Sequence, residues 1–286
     1  MKRILPLVLL LVLVLPLLSA CGTQTEPKPL ETVPPFQETV LLDNELCAVT
    51  VTDVTVDEIW GLLMKVHCEN KTEATVFFNM KNPRCQAWVL NADWVQELGP
   101  GESVDSEFNV FAVELQRCGL SRVDEFRFQL VMTDAESEDG SPLVNEEVAF
   151  SPTGADLEKL EPLPLRKSGK QDVELVNSGS AVFTVCGTES DSIWPYNLIL
   201  YMYNKSEKDQ SFTWRDISVN GVSTNPWFFR TVPAGCQSCM LVYFNEDIMK
   251  ENGVEQIKKV EFTLVLQDPE TYETLEQYQC SYVPKK

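Results

Sequence analysis

The chain has 286 residues, with 43 Asp and Glu against 23 Lys and Arg and a formal net charge of −20 at pH 7. A field of this sign repels phosphate backbones, so the composition excludes nucleic acid as a partner. The length suffices for two domains of ordinary size, and the single histidine leaves little from which to build a histidine-based catalytic or zinc site.

The N-terminal segment is typical of a secretory signal. Two cations precede an apolar run over residues 4–18, which is too short to span a membrane comfortably. The junction Leu18-Ser19-Ala20-Cys21 resembles the lipobox of bacterial lipoproteins, which implies cleavage before Cys21 and a lipid such as palmitate on its thiol. We expect residues 1–20 to be a lipoprotein signal peptide, the alternative being an ordinary signal followed by an unrelated cysteine. The mature chain is then anchored to the extracellular face of the cell membrane.

Residues 21–39 form the predicted tether. The segment is polar and contains Pro27, Pro29, Pro34 and Pro35, which favour an extended backbone over packed structure. At about 3.1 Å per residue, such a tether would hold the folded part roughly 50 to 60 Å from the lipid surface. We therefore expect a protein that is attached to the membrane without spanning it.

Eight cysteines follow Cys21, four in each half of the chain. They are Cys47, Cys68, Cys85, Cys118, Cys186, Cys236, Cys239 and Cys280. An even number in each half is compatible with up to two disulfides per domain in an exported protein. Buried free thiols that act as small apolar side chains explain the same pattern, and the spacing does not decide between the two.

An internal repeat organises the rest of the chain. DEIWGLLMKVHCENK at residues 57–71 and DSIWPYNLILYMYNK at residues 191–205 lie 134 positions apart. At this one offset, without a gap, 18 pairs are identical between Leu41/Leu175 and Glu136/Glu270. The repeat predicts two copies of one domain. Their expected bounds are residues 40–151 and 172–284, joined by a Pro-rich linker over residues 152–171 that either swings freely or lies against both domains.

Within each copy, apolar residues alternate with polar ones, as in strands with one buried face. The residues expected to face the core are Leu62, Met64, Val66 and Cys68 in the first copy, and Tyr196, Leu198, Leu200 and Met202 in the second. About seven short strands per copy, separated by Gly, Pro and Asn turns, predict an all-β fold of two tandem immunoglobulin-like β-sandwich domains. One short helix is expected over Glu246–Glu251, with a counterpart before Gly119.

In this organisation the chain resembles uncharacterised surface lipoproteins of Gram-positive, gut-type bacteria with tandem immunoglobulin-like domains. The resemblance is carried by the strand ends Asn70-Lys71 and Asn204-Lys205, the turns GPG and VPAG, and the strands RVDEFRFQLVMTD and QIKKVEFTLVLQD. That family has no established activity, so the resemblance implies fold and location only.

The patterns with a known chemistry favour structural explanations. His67 is expected to point outward from its strand, which is typical of a surface residue. The CxxC of Cys236 and Cys239 enters a strand, where residues three apart point to opposite faces. The carboxylates of residues 134–139 lack the spacing of a calcium loop. We expect no catalytic residue, no metal site and no cofactor, and hence no enzyme.

Aromatic residues of the second copy are the candidate contact site. They are Tyr201, Tyr203, Trp227 and Phe228. Exposed rings on a sandwich stack on sugars or contact proteins, whereas rings that point inward or cover the neighbouring domain have no ligand. We expect a non-enzymatic binding or scaffolding module at the cell envelope with an unknown protein or glycan partner. The alternative is a glycan- or small-solute-binding lipoprotein that uses these aromatics.

Overall fold

The computed structural model describes residues 29–137, 139–189 and 195–285. The expected signal peptide and Cys21 lie outside these residues, as do Asp191, Ile193 and Trp194 of the second repeat motif. No helix in the described part of the chain is long and apolar enough to cross a membrane.

The first half of the chain is a β-sandwich. Its elements are β1 (Thr39–Asp43), β2 (Cys47–Asp57), β3 (Gly61–Asn70), β4 (Val76–Cys85), β5 (Trp88–Val89), β6 (Val95–Leu98), β7 (Ser103–Val110), α1 (Ala112–Arg117), β8 (Phe126–Asp134) and β9 (Pro142–Phe150). One sheet has the strand order β1-β2-β3-β7, and the facing strands have the order β5-β4-β8-β9, with β6 also paired to β4. The expectation of an all-β sandwich is confirmed for this half.

The second half repeats this architecture after a short 3-10 helix at Leu157–Lys159. Its elements are β10 (Val173–Asn177), β11 (Ala181–Gly187), β12 (Asn197–Asn204), β13 (Gln210–Val219), β14 (Val222–Ser223), β15 (Phe229–Val232), β16 (Gln237–Tyr243), α2 (Glu246–Glu251), β17 (Val260–Gln267) and β18 (Thr274–Tyr282). The order β10-β11-β12-β16 faces β14-β13-β17-β18, and β15 pairs with β13.

Corresponding elements of the two halves lie at the offset found in the sequence. The bounds of β1, β4, β5, β6 and α1 recur 134 residues later as those of β10, β13, β14, β15 and α2. Strands β9 and β18 lie 132 residues apart instead, because β17 and the loop that follows it are each one residue shorter than β8 and its loop. The same order of elements is therefore built twice.

The alternation of apolar residues produces the cores. The predicted inward-facing residues of β3, namely Leu62, Met64, Val66 and Cys68, are at most 2% exposed. Their predicted counterparts at Tyr196, Leu198, Leu200 and Met202 are also buried, at 6% or less. Burial of alternate side chains against the facing sheet is the main stabilising contribution in such a fold. The expected direction of these eight side chains is confirmed.

One short helix follows β7 in the first sandwich, and another follows β16 in the second. Helix α2 has the predicted bounds, and its first turn is capped by the side chain of Asn245, which accepts from the Ile248 amide at 3.0 Å. Gly253 follows the helix with a φ of 69°, and Gly119 follows α1 with a φ of 73°. Both glycines therefore end their helices in the left-handed conformation expected from the sequence.

The two sandwiches share one continuous nine-stranded sheet. Strand β5 of the first sandwich pairs in parallel with β16 of the second, through Trp88 with Gln237 and Val89 with Ser238. Val89 packs in the core of the second sandwich, and Tyr201 packs in the core of the first. This exchange of side chains makes the junction a buried interface rather than a hinge.

The linker lies against both sandwiches. The amide of Leu163 donates to Gln86 at 2.6 Å, and the amide of Arg166 donates to Gln237 at 3.0 Å. The Arg166 guanidinium pairs with Asp172 and lies 5.6 Å from the Tyr201 ring centroid. Of the two arrangements considered for residues 152–171, the structure shows the bound one.

The last part of the predicted tether is also packed. The side chains of Leu30, Val33 and Phe36 are partly buried against the first core, and the Glu31 amide donates to the Ser121 carbonyl at 2.7 Å. The burial of these three apolar side chains holds the Pro-rich segment against the sandwich. The expectation of an unpacked tether over residues 21–39 is therefore wrong for residues 29–38, which lie on the sandwich.

Candidate functional site

An open cleft about 630 Å³ in volume lies on the second sandwich, beside β13 and β15. It is lined by Thr213, Trp214, Asn225, Pro226, Trp227, Phe228, Phe229 and Tyr272. Two of these rings are strongly exposed, Trp227 at 72% and Tyr272 at 63%. Large exposed rings gathered around a concave surface are typical of a binding site.

The floor of the cleft is fixed by hydrogen bonds between β13 and the segment that leads into β15. Trp214 donates its indole N–H to the Pro226 carbonyl at 3.0 Å, and Thr213 donates its hydroxyl to the Phe228 carbonyl at 2.8 Å. The rings of Trp214 and Phe228 pack edge to face with centroids 5.0 Å apart. Because Phe228 points into the core, the preceding Trp227 points outward.

Tyr272 forms the opposite wall from the loop between β17 and β18. The carboxylate of Asp268 accepts from the amides of Glu270 and Thr271 at 2.9 and 3.0 Å, and these bonds hold its pKa below the ordinary value. Tyr272 has a φ of 59°, a left-handed conformation that costs a non-glycine residue about 1 kcal/mol or more. The loop thereby places the Tyr272 ring 6.3 Å from that of Phe229.

The cleft offers stacking surfaces and a few hydrogen-bonding groups. Tyr272 is the one titratable side chain among its lining residues, and Asn225 and Thr213 supply short polar side chains. Ring faces of Trp and Tyr bind flat or ring-shaped molecules through their apolar surface. The geometry therefore suits the binding of such a molecule.

The structure separates the four aromatics proposed from the sequence. Trp227 lies in the cleft and is open to solvent, but Phe228 is 3% exposed and belongs to the second core. Tyr201 is 6% exposed, and its hydroxyl donates to Gln237 at 2.9 Å. Tyr203 is half-buried against the first core. Phe228 is thus a core residue in the floor of the cleft and Tyr201 is a junction residue, which corrects the expectation that both are exposed contacts. Tyr203 lies at the junction as well.

The correction at Tyr201 has a simple physical origin. Strand β12 is covered on both faces, because one face forms the core of its own sandwich and the other contacts the first sandwich, where Trp88 lies 6.2 Å from the Tyr201 ring. The alternation of residues along one strand shows which side chains share a face, but it does not show what covers the second face. Of the two interpretations offered for the tyrosines, exposed contacts or rings that cover the neighbouring domain, the structure shows the second.

Other patterns considered in the sequence have structural roles. His67 faces outward on β3 and its ring nitrogen Nδ1 lies 2.7 Å from a carboxylate oxygen of Asp105. Cys236 packs in the second core while Cys239 packs in the first, so the CxxC pair is divided between two cores. Within the described ranges no three His, Cys, Asp or Glu side chains come together as a metal site.

Each of the eight cysteines from Cys47 to Cys280 is a free thiol in this structure. Seven are buried, and burial raises the pKa of Cys47 to about 11 and that of Cys68 and Cys85 to about 12. A thiol with so high a pKa is scarcely ionised at neutral pH and is a poor nucleophile. Of the two alternatives for the cysteines, the structure shows buried apolar thiols.

No family model and no curated protein matches the chain. Among solved structures, it is similar to the crystal structure of a protein of unknown function from Porphyromonas gingivalis W83. The identity is 10%, and the match covers 86% of this chain and 99% of that chain with a TM-score of 0.22. A similarity at this level carries no argument about fold details or function.

Proposed function

We propose that the chain is a non-enzymatic surface lipoprotein, anchored through Cys21 on the outer face of the cell membrane, that works as a binding module. The aromatic cleft of the second sandwich carries this proposal. Its exposed Trp227 and Tyr272 are held by a hydrogen-bonded floor and a strained loop, which is the arrangement of a preformed binding surface. The signal and lipobox of the sequence support the anchored location.

The strand order supports the finer interpretation of the fold as immunoglobulin-like. In the first half β2-β3-β7 faces β4-β8-β9, and in the second β11-β12-β16 faces β13-β17-β18. This is the division of strands between two sheets expected for that class of sandwich. The matched element bounds support an internal duplication, and together they fit the resemblance to surface lipoproteins of Gram-positive bacteria.

A sugar ring is the ligand class that the cleft favours. Trp227, Phe229 and Tyr272 offer ring faces, and Asn225 offers an amide at the edge for hydroxyl groups. Stacking on aromatic faces with polar contacts at the rim is how a shallow open site holds a carbohydrate. The net charge of −20 adds selectivity, since it repels anionic polysaccharides.

Binding to immobilised neutral oligosaccharides, followed by calorimetric titration of the strongest, tests this proposal. Trp227→Ala and Tyr272→Ala should each weaken binding about tenfold, because each removes one stacking face. The matched control is Leu275→Ala, which truncates a side chain of the same sandwich that is 50% exposed and does not line the cleft. Unchanged affinity in both cleft variants would contradict the site, and absence of any oligosaccharide binding would leave a protein partner as the ligand.

A further inference from the structure

A second exposed apolar surface lies on the first sandwich, far from the aromatic cleft in the chain. It consists of Ile59, Trp60, Phe111 and Val113, exposed by 74%, 54%, 41% and 41%, and we call it the Trp60 patch. Trp60 and Phe111 contact each other, with ring centroids 5.8 Å apart. An exposed Trp next to three other apolar side chains indicates a surface that meets another apolar phase.

The patch is held rigidly in its exposed position. The Asp57 carboxylate accepts from the amides of Ile59 and Trp60 at 2.7 and 2.8 Å, and these bonds hold its pKa below the ordinary value. The Asn109 side chain donates to the Trp60 carbonyl at 3.0 Å. The turn between β2 and β3 is therefore built by hydrogen bonds that present Ile59 and Trp60 to solvent.

The N-terminal segment reaches the sandwich at the same end as this patch. The turn of the patch joins β2 to β3, and Leu62 at the start of β3 pairs with Val110, directly before Phe111. Leu30 and Val33 lie beside Val56 and Leu62, which flank that same turn. The chain thus leaves the described structure close to the end that carries the Trp60 patch.

The length of chain before Pro29 limits how far this end can lie from a lipid at Cys21. Eight residues separate the two positions (29 − 21), and even fully extended they span at most about 29 Å. Strand β3 has ten residues, so the sandwich itself is about 33 Å long. The end with the Trp60 patch therefore lies within reach of a lipid at Cys21, whereas the opposite end lies beyond that reach.

We infer that the Trp60 patch rests in the interfacial region of the lipid bilayer and so adds a second contact to the lipid anchor. Trp is suited to this position, because its large apolar ring enters the acyl boundary while its N–H stays among the headgroups. Asp57 and Glu58 lie beside the patch and repel anionic headgroups. The contact is therefore apolar and made with uncharged or zwitterionic lipid. The inference rests on the proposed anchor at Cys21.

Depth-dependent quenching of tryptophan fluorescence tests the contact. The lipidated full chain is reconstituted in phosphatidylcholine vesicles whose acyl chains carry bromine, a short-range quencher. We expect quenching in the wild type, loss of most of it in Trp60→Ala, and its retention in Trp227→Ala, which removes an exposed indole of the other sandwich. Ile59→Asp keeps the Trp60 indole but adds a charge to the patch, and it should also reduce quenching. For the wild type, replacing half of the phosphatidylcholine with phosphatidylglycerol should reduce the quenching relative to pure phosphatidylcholine.

Flotation of the vesicles separates failure of the anchor from failure of the docking. Wild type should float with the vesicles and Cys21→Ser should stay behind. If the wild type does not float, the anchor is wrong and the docking inference falls with it. If the wild type floats but its quenching equals that of Trp60→Ala, or disappears in Trp227→Ala instead, the anchor stands and the docking is wrong. Circular dichroism of each variant confirms that the sandwiches are folded.

Discussion

At the scale of single residues, the buried asparagines at the two Asn-Lys strand ends show how a residue that is identical in both halves specifies the fold. Asn70 and Asn204 are both 0% exposed. The Asn70 amide donates to the carbonyls of Ala74, Leu98 and Gly99 at 2.8 to 3.2 Å, and the Asn204 amide donates to those of Lys208 and Val232 at 2.8 Å. The repeated asparagine is therefore explained by turn closure.

Replacing Asn70 should destabilise the first sandwich strongly. Asn70→Ala removes the three buried hydrogen bonds that the Asn70 amide donates, and Asn70→Asp puts a carboxylate, which cannot donate, in its place. We expect both to lower the free energy of unfolding by about 2 to 4 kcal/mol in urea titrations. Asn145→Ala, at an exposed position of β9, should change it by less than about 0.5 kcal/mol. Equal stability of Asn70→Ala and Asn145→Ala would contradict this role.

At the scale of elements, the two-residue strand β5 has a larger role than its length indicates. It pairs with β4 on one side and β16 on the other, and so joins the sheets of the two sandwiches. The Ser238 hydroxyl donates to the Val89 carbonyl at 3.2 Å, and Arg230 donates to the Leu90 carbonyl at 3.3 Å. Backbone pairing, side-chain hydrogen bonds and ring packing at Trp88 thus coincide in one short segment.

Removing the Trp88 ring should loosen the junction more than either sandwich. In Trp88→Ala we expect the linker to become sensitive to trypsin at Arg166 and Lys167, because the surface that holds residues 163–166 loses its support. Trp94→Ala is the matched control, since this indole is buried in the first core. Cleavage of the linker that is equally fast in both variants would contradict a junction-specific role.

The sequence predicts correctly those features that depend on local patterns, namely the buried face of a strand and the ends of a helix. The inward residues of β3 follow from a strand with one core face, and the bounds of α2 follow from Asn245 before it and Gly253 after it. It failed at Tyr201, because the second face of β12 is covered by a domain distant in sequence. At the candidate site Trp227 was identifiable as an aromatic near a turn. Tyr272 was not, because its loop meets β15 only in the folded sandwich.

At the scale of the whole molecule, charges from both sandwiches meet at the junction. Arg117 of α1 pairs with Glu189 of the second sandwich through two hydrogen bonds of 3.1 and 2.7 Å. Beside it, the half-buried Glu114 accepts from the Asn91 amide at 2.5 Å and faces Arg230 from the second sandwich. The carboxyl group of Glu114 therefore lies among cationic groups of both sandwiches.

Glu114 should make the stability of this two-sandwich body depend on pH. Burial raises its pKa from 4.5 to about 7, an effect that outweighs the opposing fields of Arg230 and Arg117 and is increased by Asp93. Between pH 4.5 and pH 7 the folded state binds more protons than the unfolded state. The stability that protonated Glu114 contributes is therefore fully present below pH 4.5 and is lost as the pH rises through 7. Glu114→Gln keeps an acceptor for the Asn91 amide but cannot ionise.

We therefore expect the free energy of unfolding of the wild type to fall, relative to Glu114→Gln, by about 1 to 3 kcal/mol between pH 5 and pH 8. Urea titrations of both proteins at each pH measure the difference. Because the two proteins share all other carboxylates, the contribution of those groups to the pH dependence cancels in the comparison. Glu146→Gln on the exposed edge strand β9 is the control and should follow the wild type. A parallel pH profile for wild type and Glu114→Gln would mean that Glu114 is already charged in the folded protein, held by Arg230 across the junction.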